Sequence, residues 1–253
     1  MPFMLDASCL CNTGKVRKNN EDNFFFDGRC LEAYNNGMEH PITIKGVPCH
    51  EKNVAVFDGM GGENFGELAS YTAADCMLQI TQTLKEHLFF KRKILNRIYI
   101  KINDAVVAKQ QELCTNRMGS TMVAIYFSHG HVYVSNIGDS RAYRLRAGKL
   151  SQLSVDHVEK REGLAEKKAP LTQHLGISSE DFLIEPFITK SKLRHKDQYL
   201  LCSDGLTDML SEDEISRIMS DADSAEECVE KLVDSALDAG GRDNVTTIVC
   251  RIL

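Results

Sequence analysis

The sequence carries no excess of basic charge, no apolar run long enough to cross a bilayer, and no paired cysteine framework. Lys and Arg number 30 against 36 Asp and Glu, a net charge of −6, so nothing argues for a nucleic-acid surface. No apolar stretch approaches the roughly 20 residues of a membrane helix. The first residues, Met1-Pro-Phe-Met-Leu-Asp6, lack a basic segment and have too short an apolar run for a signal peptide. The nine cysteines are odd in number and scattered, and Cys9-Leu-Cys11 has no second pair to complete a zinc site. Cys202 and Cys250 sit in apolar contexts, where a reduced thiol packs as a small hydrophobe. A reducing, cytoplasmic setting is therefore expected. There is no solenoid-length repeat and no low-complexity linker. What remains is 253 residues with 43% hydrophobic and 26% charged content, the profile of one globular domain spanning 1–253 with a substantial core.

The chemistry is concentrated in acids at strand ends. Val54-Ala-Val-Phe57 reads as a buried strand that delivers Asp58 into the glycine-rich turn Gly59-Met-Gly-Gly62. The construction recurs in Tyr199-Leu-Leu-Cys-Ser-Asp204-Gly205 and, less regularly, in Val134 to Asp139. Asp243, after Gly240-Gly241, precedes a strand over Val245 to Ile252. One Asp-Gly pair is ordinary turn chemistry. Several acids at strand ends of one sheet would repel one another unless a cation neutralised them. Their pattern predicts a multi-carboxylate site for a divalent metal, with Asp58 giving a carboxylate and Gly59 a backbone carbonyl. Arg17 and the pair Glu21-Asp22 are expected at its edge, the arginine offering a fork of donors to phosphate and the acids holding metal-bound water.

The other elements follow from periodicity. A first strand is expected over residues 4–11, another at Phe24 to Phe26, and an irregular insertion of no assigned function over about 27–50, with a short hairpin at Ile42 to Ile44. Two helices, from Gly66 to about Lys85 and from Lys91 to Cys114, carry i, i+3/i+4 apolar stripes. Thr121–Phe127, Val132–Ile137 and Ala142–Leu145 read as an antiparallel meander with turns at Ser128-His-Gly130 and Arg146-Ala-Gly148. His129 and His131, without a third ligand, read as surface residues. Residues 154–180 are polar and read as a solvated helix or a mobile flap, followed by a strand over about 182–188. Ser211-Glu-Asp-Glu214 and Ser224-Ala-Glu-Glu227 are capping-box patterns opening helices, the second closed by Gly240-Gly241.

In order along the chain, these motifs resemble the metal-dependent protein serine/threonine phosphatases of the 2C type, in their compact bacterial branch. The matches are Arg17 with Asn20-Glu-Asp22, Asp58-Gly-Met-Gly-Gly62 with Gly66-Glu-Leu-Ala-Ser70, and Met118-Gly-Ser-Thr121. They continue in Asn136-Ile-Gly-Asp-Ser-Arg141, Ser203-Asp-Gly-Leu-Thr-Asp208 and Asp243-Asn244. The resemblance implies an α+β fold, a four-layer α-β-β-α sandwich of two antiparallel sheets flanked by helices. It implies two Mn²⁺ or Mg²⁺ ions bridged by Asp58, with Gly59 on one and Asp204 and Asp243 on the other. Asp139 with Asp204 corresponds to a third, weaker ion, Asp22 with Glu21 to water-holding acids, and Arg17 to the phosphate-binding arginine. A metal-bridging water would attack phosphoserine or phosphothreonine directly. The thiols are then discounted as catalytic, and the Cys-x5-Arg phosphate loop of other phosphatases is read as absent, with no cysteine followed by an arginine six positions on.

Two departures from the family pattern stand out. Glu63 takes the place of a usual histidine, and Met60 that of a histidine proposed as general acid in eukaryotic relatives, which leaves the proton donor open. The flap also reads as short, which bears on substrate choice and the third ion. Phosphoprotein substrates are implied, with a cognate serine/threonine kinase among them, and a monomer is expected. Alternatives are a pseudophosphatase used as a phosphoprotein-binding module, a phosphatase of a sigma-factor regulator, and a hydrolase of small phosphate esters. Retention of Asp58, Asp204 and Asp243 argues against the first, and the lack of a visible sensory domain against the second.

Overall fold

The computed structural model describes residues 3–61, 65–83, 92–159, 169–180 and 182–253. Apolar residues that follow one another without alternation need cover on both faces, and β4 (Asn53–Met60) shows how they get it. Val54 and Val56 point into one core, while Ala55 and Phe57 point into another on the opposite side of the same sheet. The sheet containing β4 runs in the order β10 (Phe187–Lys192), β7 (His131–Ile137), β6 (Met122–Ser128), β4 and β2 (Asp22–Phe26), with the short β5 (Gly119–Ser120) also paired to β4. The other runs β3 (Ile42–Pro48), β1 (Met4–Asn12), β12 (Val245–Ile252), β11 (Gln198–Cys202), β8 (Arg141–Arg146) and β9 (Lys149–Gln152). Every named strand pair is antiparallel.

Three apolar cores separate four layers. The first lies between the sheets, where Phe24, Val56, Ile125, Leu201 and Ile248 meet. The second joins the β4 sheet to α1 (Gly66–Thr83) and α2 (Arg92–Glu112) through Ala73, Met77, Tyr99 and Ile102. The third joins the β12 sheet to α4 (Glu212–Asp221) and α5 (Ala225–Asp238) through Ile215, Met219, Val229 and Leu232. A one-turn helix, α3 (Asp204–Thr207), follows β11. The α-β-β-α sandwich is thus the fold.

The capping signals act as their chemistry requires. Ser211 and Glu214 form a full reciprocal box at α4. At α5, Ser224 accepts from the Glu227 N–H, but the Glu227 carboxylate bonds the N–H of Asp223 one residue farther out. Gly240 and Gly241, at φ +131° and +53°, donate to Leu237 and Ala236 and close α5 in a Schellman arrangement.

Several expectations change. The strand carrying Asp58 does not stop at Phe57, because Asp58 pairs with Asp22 and Gly59 with Ser120. Residues 42–48 form no hairpin but an edge strand on β1. The meander divides: β6 and β7 pair in one sheet, whereas β8 crosses to the other and turns back as β9, a strand the pattern did not suggest. The strand expected at 182–188 begins at Phe187 and runs to Lys192. The end of the first helix at about Lys85, the start of the second at Lys91, the run Lys160 to Lys168, Gly62 and Glu63 lie outside the described residues.

Candidate active site

The acids do not share one sheet. Asp58 and Asp139 come from the β4 sheet, and Asp204 and Asp243 from the β12 sheet. They converge because the sheets are stacked with these strand ends on the same side. Arg17, Glu21, Asp58, Gly59, Met60, Thr121, Asp139, Asp204 and Asp243 line one cleft of about 380 Å³, with Gly61, Ala169 and Leu171.

Each acid is set by its backbone. Asp58 N–H donates to Thr121 Oγ1 at 3.2 Å, and its carbonyl accepts from the Thr121 N–H at 2.8 Å and from Ser120 Oγ at 3.1 Å. Gly59 N–H donates to the Glu21 carbonyl at 3.0 Å, and a Cβ there would lie 2.0 Å from the Gly66 carbonyl oxygen. Only glycine permits that approach. Asp204 opens α3 after Ser203, and the next residue, Gly205, packs on the Asn244 carbonyl. Asp139 follows Gly138, whose φ of +96° turns the chain out of β7.

Arg17 and Asp243 meet: Arg17 Nη2 donates to Asp243 Oδ2 at 2.7 Å, which raises the Arg17 pKa further. The predicted phosphate ligand and a predicted metal ligand are therefore in contact. Asn244, matched in the sequence but given no role, organises this corner. Its Oδ1 accepts from the Glu21 N–H at 2.8 Å, and its Nδ2 donates to the carbonyls of Thr13 and Asn19.

The Glu21-Asp22 pair separates. Glu21 is half-buried on the cleft wall, whereas Asp22 is 2% exposed between the sheets. Asp22 Oδ2 accepts from Ser203 Oγ and Thr246 Oγ1, both at 2.7 Å, so it bonds one sheet to the other. It is not among the cleft-lining residues, and of the two acids Glu21 has the better placement for holding water at a metal. Behind Glu21 lies Glu67 at the start of α1, 2% exposed, with Oε2 lacking a hydrogen-bond partner. No sequence signal singled out Glu67 beyond its place in the Gly66-Glu-Leu-Ala-Ser70 motif.

Burial, then Glu67, push the Glu21 carboxyl up to about 7, with Arg17 opposing. A carboxyl whose folded pKa exceeds its unfolded value binds its proton more tightly when folded. Its contribution is present below about 4.5 and lost as pH rises through about 7. Chelator-treated protein should thus lose stability between pH 5 and 8. Glu21→Gln should flatten that part of the profile, as read from urea midpoints against pH.

The donor set fits a hard cation. It consists of carboxylates and a backbone carbonyl, with no imidazole or thiolate among the described lining residues. Among the described residues no three His, Cys, Asp or Glu side chains converge tightly enough to enclose an ion alone. The carboxylates and the Gly59 backbone on the cleft wall are oxygen donors of the kind a hydrated hard cation takes.

The Cys-x5-Arg spacing read as absent is in fact present, at Cys11 and Arg17. Cys11, however, is fully buried in β1, and burial followed by Asp22 pushes its thiol up to about 12. It is no thiolate nucleophile at neutral pH. Met60 lines the cleft and has no proton to give.

The protein phosphatase 2C family profile matches residues 47–240. The serine/threonine phosphatase Stp of Listeria welshimeri is 31% identical over 97% of this chain and 95% of its own. The serine/threonine protein phosphatase PstP of Mycobacterium tuberculosis is 29% identical over 99% of this chain, which spans 46% of that longer protein. In structure, the PstP catalytic domain in complex with two manganese ions superposes with a TM-score of 0.79 at 28% identity, covering 99% of both chains. With the sandwich, the acid-lined cleft and these relatives in agreement, the chain belongs to the protein phosphatase 2C family.

Proposed function

We propose that the acid-lined cleft is where this metal-dependent serine/threonine phosphatase hydrolyses phosphoproteins, and that Asp58, Gly59, Asp204 and Asp243 hold its two core Mn²⁺ or Mg²⁺ ions. The observation that carries the assignment is the convergence of Asp58, Asp139, Asp204 and Asp243 from both sheets on one cleft with Arg17 at its rim. Asp139 with Asp204 would take a third ion, and Glu21 its neighbours' water. When bound, the ions acidify water and neutralise charge on the phosphoryl group. The protein's own part is positioning. Thr121 and Ser120 fix the Asp58 backbone, Asn244 fixes the loop bearing Glu21, and Arg17 presents donors to the phosphate oxygens. Arg17 exchanges its contact with Asp243 for one with substrate.

The residues form a single catalytic unit that acts as a monomer, with a serine/threonine kinase among its phosphoprotein substrates. None of the described helices is long and apolar enough to cross a membrane. All nine cysteines are free, and most are buried, which suits the reducing cytoplasm.

Hydrolysis of a phosphothreonine peptide with Mn²⁺ and with EDTA tests the assignment. Turnover that survives EDTA would remove it. Arg17→Ala should lower kcat/KM for the peptide by about 10- to 100-fold, mainly through KM, while Mn²⁺ binding by calorimetry persists.

A further inference from the structure

We infer that His157 is a positioning residue that fixes the Asp139 turn in the cleft wall and joins it to the segment that brings Ala169 and Leu171 to the same cleft. The contact is reciprocal and made to a single residue. Gly138 N–H donates to His157 Nδ1 at 3.1 Å, and His157 N–H donates to the Gly138 carbonyl at 3.0 Å. Gly138 adjoins Asp139 and lies just past the end of β7 at Ile137, where its N–H is satisfied by a side chain rather than a neighbouring strand. A Cβ on Gly138 would lie 2.7 Å from the Thr121 side chain, so the turn is pressed against the residue that also holds Asp58.

The neighbours of His157 are fastened to the same turn. Val155 exchanges hydrogen bonds with the Asn136 amide at 2.8 and 3.1 Å, and Asp156 takes a two-pronged ion pair from Arg141. Three consecutive residues thus bracket Asp139 through Asn136, Gly138 and Arg141. On its other side, the His157 carbonyl accepts from the Thr172 N–H at 2.8 Å, Val158 bridges Leu171, and Glu159 N–H donates to Pro170 at 3.0 Å. Ala169 and Leu171 line the same cleft as the acids. His157 therefore ties the Asp139 turn to the segment bearing Ala169 and Leu171. Because Nδ1 accepts, its proton sits on Nε2.

An ordinary structural histidine would lose stability when replaced and nothing else. A positioning histidine should be rescued by a side chain that presents an acceptor at the Nδ1 position. Asparagine does so with Oδ1, whereas glutamine reaches too far and alanine presents none. The inference rests on the cleft being the metal site, and Asp139→Asn tests that separately. If Asp139→Asn leaves Mn²⁺ binding and turnover unchanged, the reading of the third site fails, independent of His157.

The experiment compares His157→Ala, His157→Gln and His157→Asn, each alone and with Asp139→Asn. Free Mn²⁺ by electron paramagnetic resonance, kcat and KM on a phosphothreonine peptide, and thermal midpoints are read. His157→Ala and His157→Gln should weaken Mn²⁺ binding or kcat about 10- to 100-fold, the range for residues that orient metal ligands. His157→Asn should restore most of it, and in the Asp139→Asn background His157→Ala should add little. Wild-type Mn²⁺ binding and kcat in His157→Ala would overturn the inference. Equal losses in the Asn and Ala variants, tracking their thermal midpoints, would overturn it as well.

Discussion

Asp58→Asn should reduce turnover of a phosphothreonine peptide on the order of a thousandfold while leaving the chain folded. The side chain faces the cleft, and the bonds that hold residue 58 in β4 run through its backbone to Thr121 and Ser120. An amide preserves them and removes the charge that would bridge two cations, whose effect on the transition state is several kcal/mol. Stability should move in two directions at once. Without metal, the carboxylates that line the cleft repel, so neutralising one should leave the thermal midpoint unchanged or raise it. With Mn²⁺ in excess, wild type gains stability by ligand linkage, and the variant should gain little. A scan of thermal midpoint against Mn²⁺ concentration for both proteins reads this directly. A variant that is stabilised by Mn²⁺ as strongly as wild type would place the ions elsewhere. Asp204→Asn should behave in the same way, since Asp204 opens α3 on the facing sheet.

Asp58 and Asp204 are legible in the sequence because an apolar run, an acid and a glycine form a local pattern. So are β12, both caps, and the stripes of α1 and α2, each of which depends on residues within one or two turns. What is not legible depends on partners distant in sequence. Ile42–Pro48 carries no clean alternation, because an edge strand needs only one partner and faces solvent with the other side. Lys149–Gln152 and Phe187–Lys192 are polar for the same reason. The ladder of Asp58 with Asp22, 36 positions apart, carried β4 through the turn-like Asp-Gly. Glu21 and Asp22 look alike in sequence; only the hydroxyls of Ser203 and Thr246, from the other sheet, distinguish the buried tie from the cleft acid. The Cys11–Arg17 spacing runs the other way, a motif present in sequence that burial in β1 disables.

Gly205→Ala should be among the most destabilising single substitutions in the chain, by about 3 kcal/mol or more. The cause is space rather than backbone angle, since Gly205 is not among the glycines with positive φ. An added Cβ would lie 1.9 Å from the Asn244 carbonyl oxygen and 2.9 Å from its carbonyl carbon, and backbone cannot swing aside as a side-chain tip can. Gly148 supplies the control. Its φ is +75° with nothing within 4 Å of the added Cβ, so Gly148→Ala should cost only the left-handed strain of about 1–2 kcal/mol. At this chain length 3 kcal/mol corresponds to a fall of about 10 °C in thermal midpoint, readable by calorimetry. The shift at residue 205 should also reach the chemistry. Asn244 holds the Glu21 N–H and the carbonyls of Thr13 and Asn19, and Asp243 precedes it. Moving its backbone separates Asp204 from Asp243 and disturbs the loop that carries Arg17. Gly205→Ala should therefore lose Mn²⁺-dependent turnover even well below its melting temperature, whereas Gly148→Ala, on the β8–β9 hairpin, should keep it.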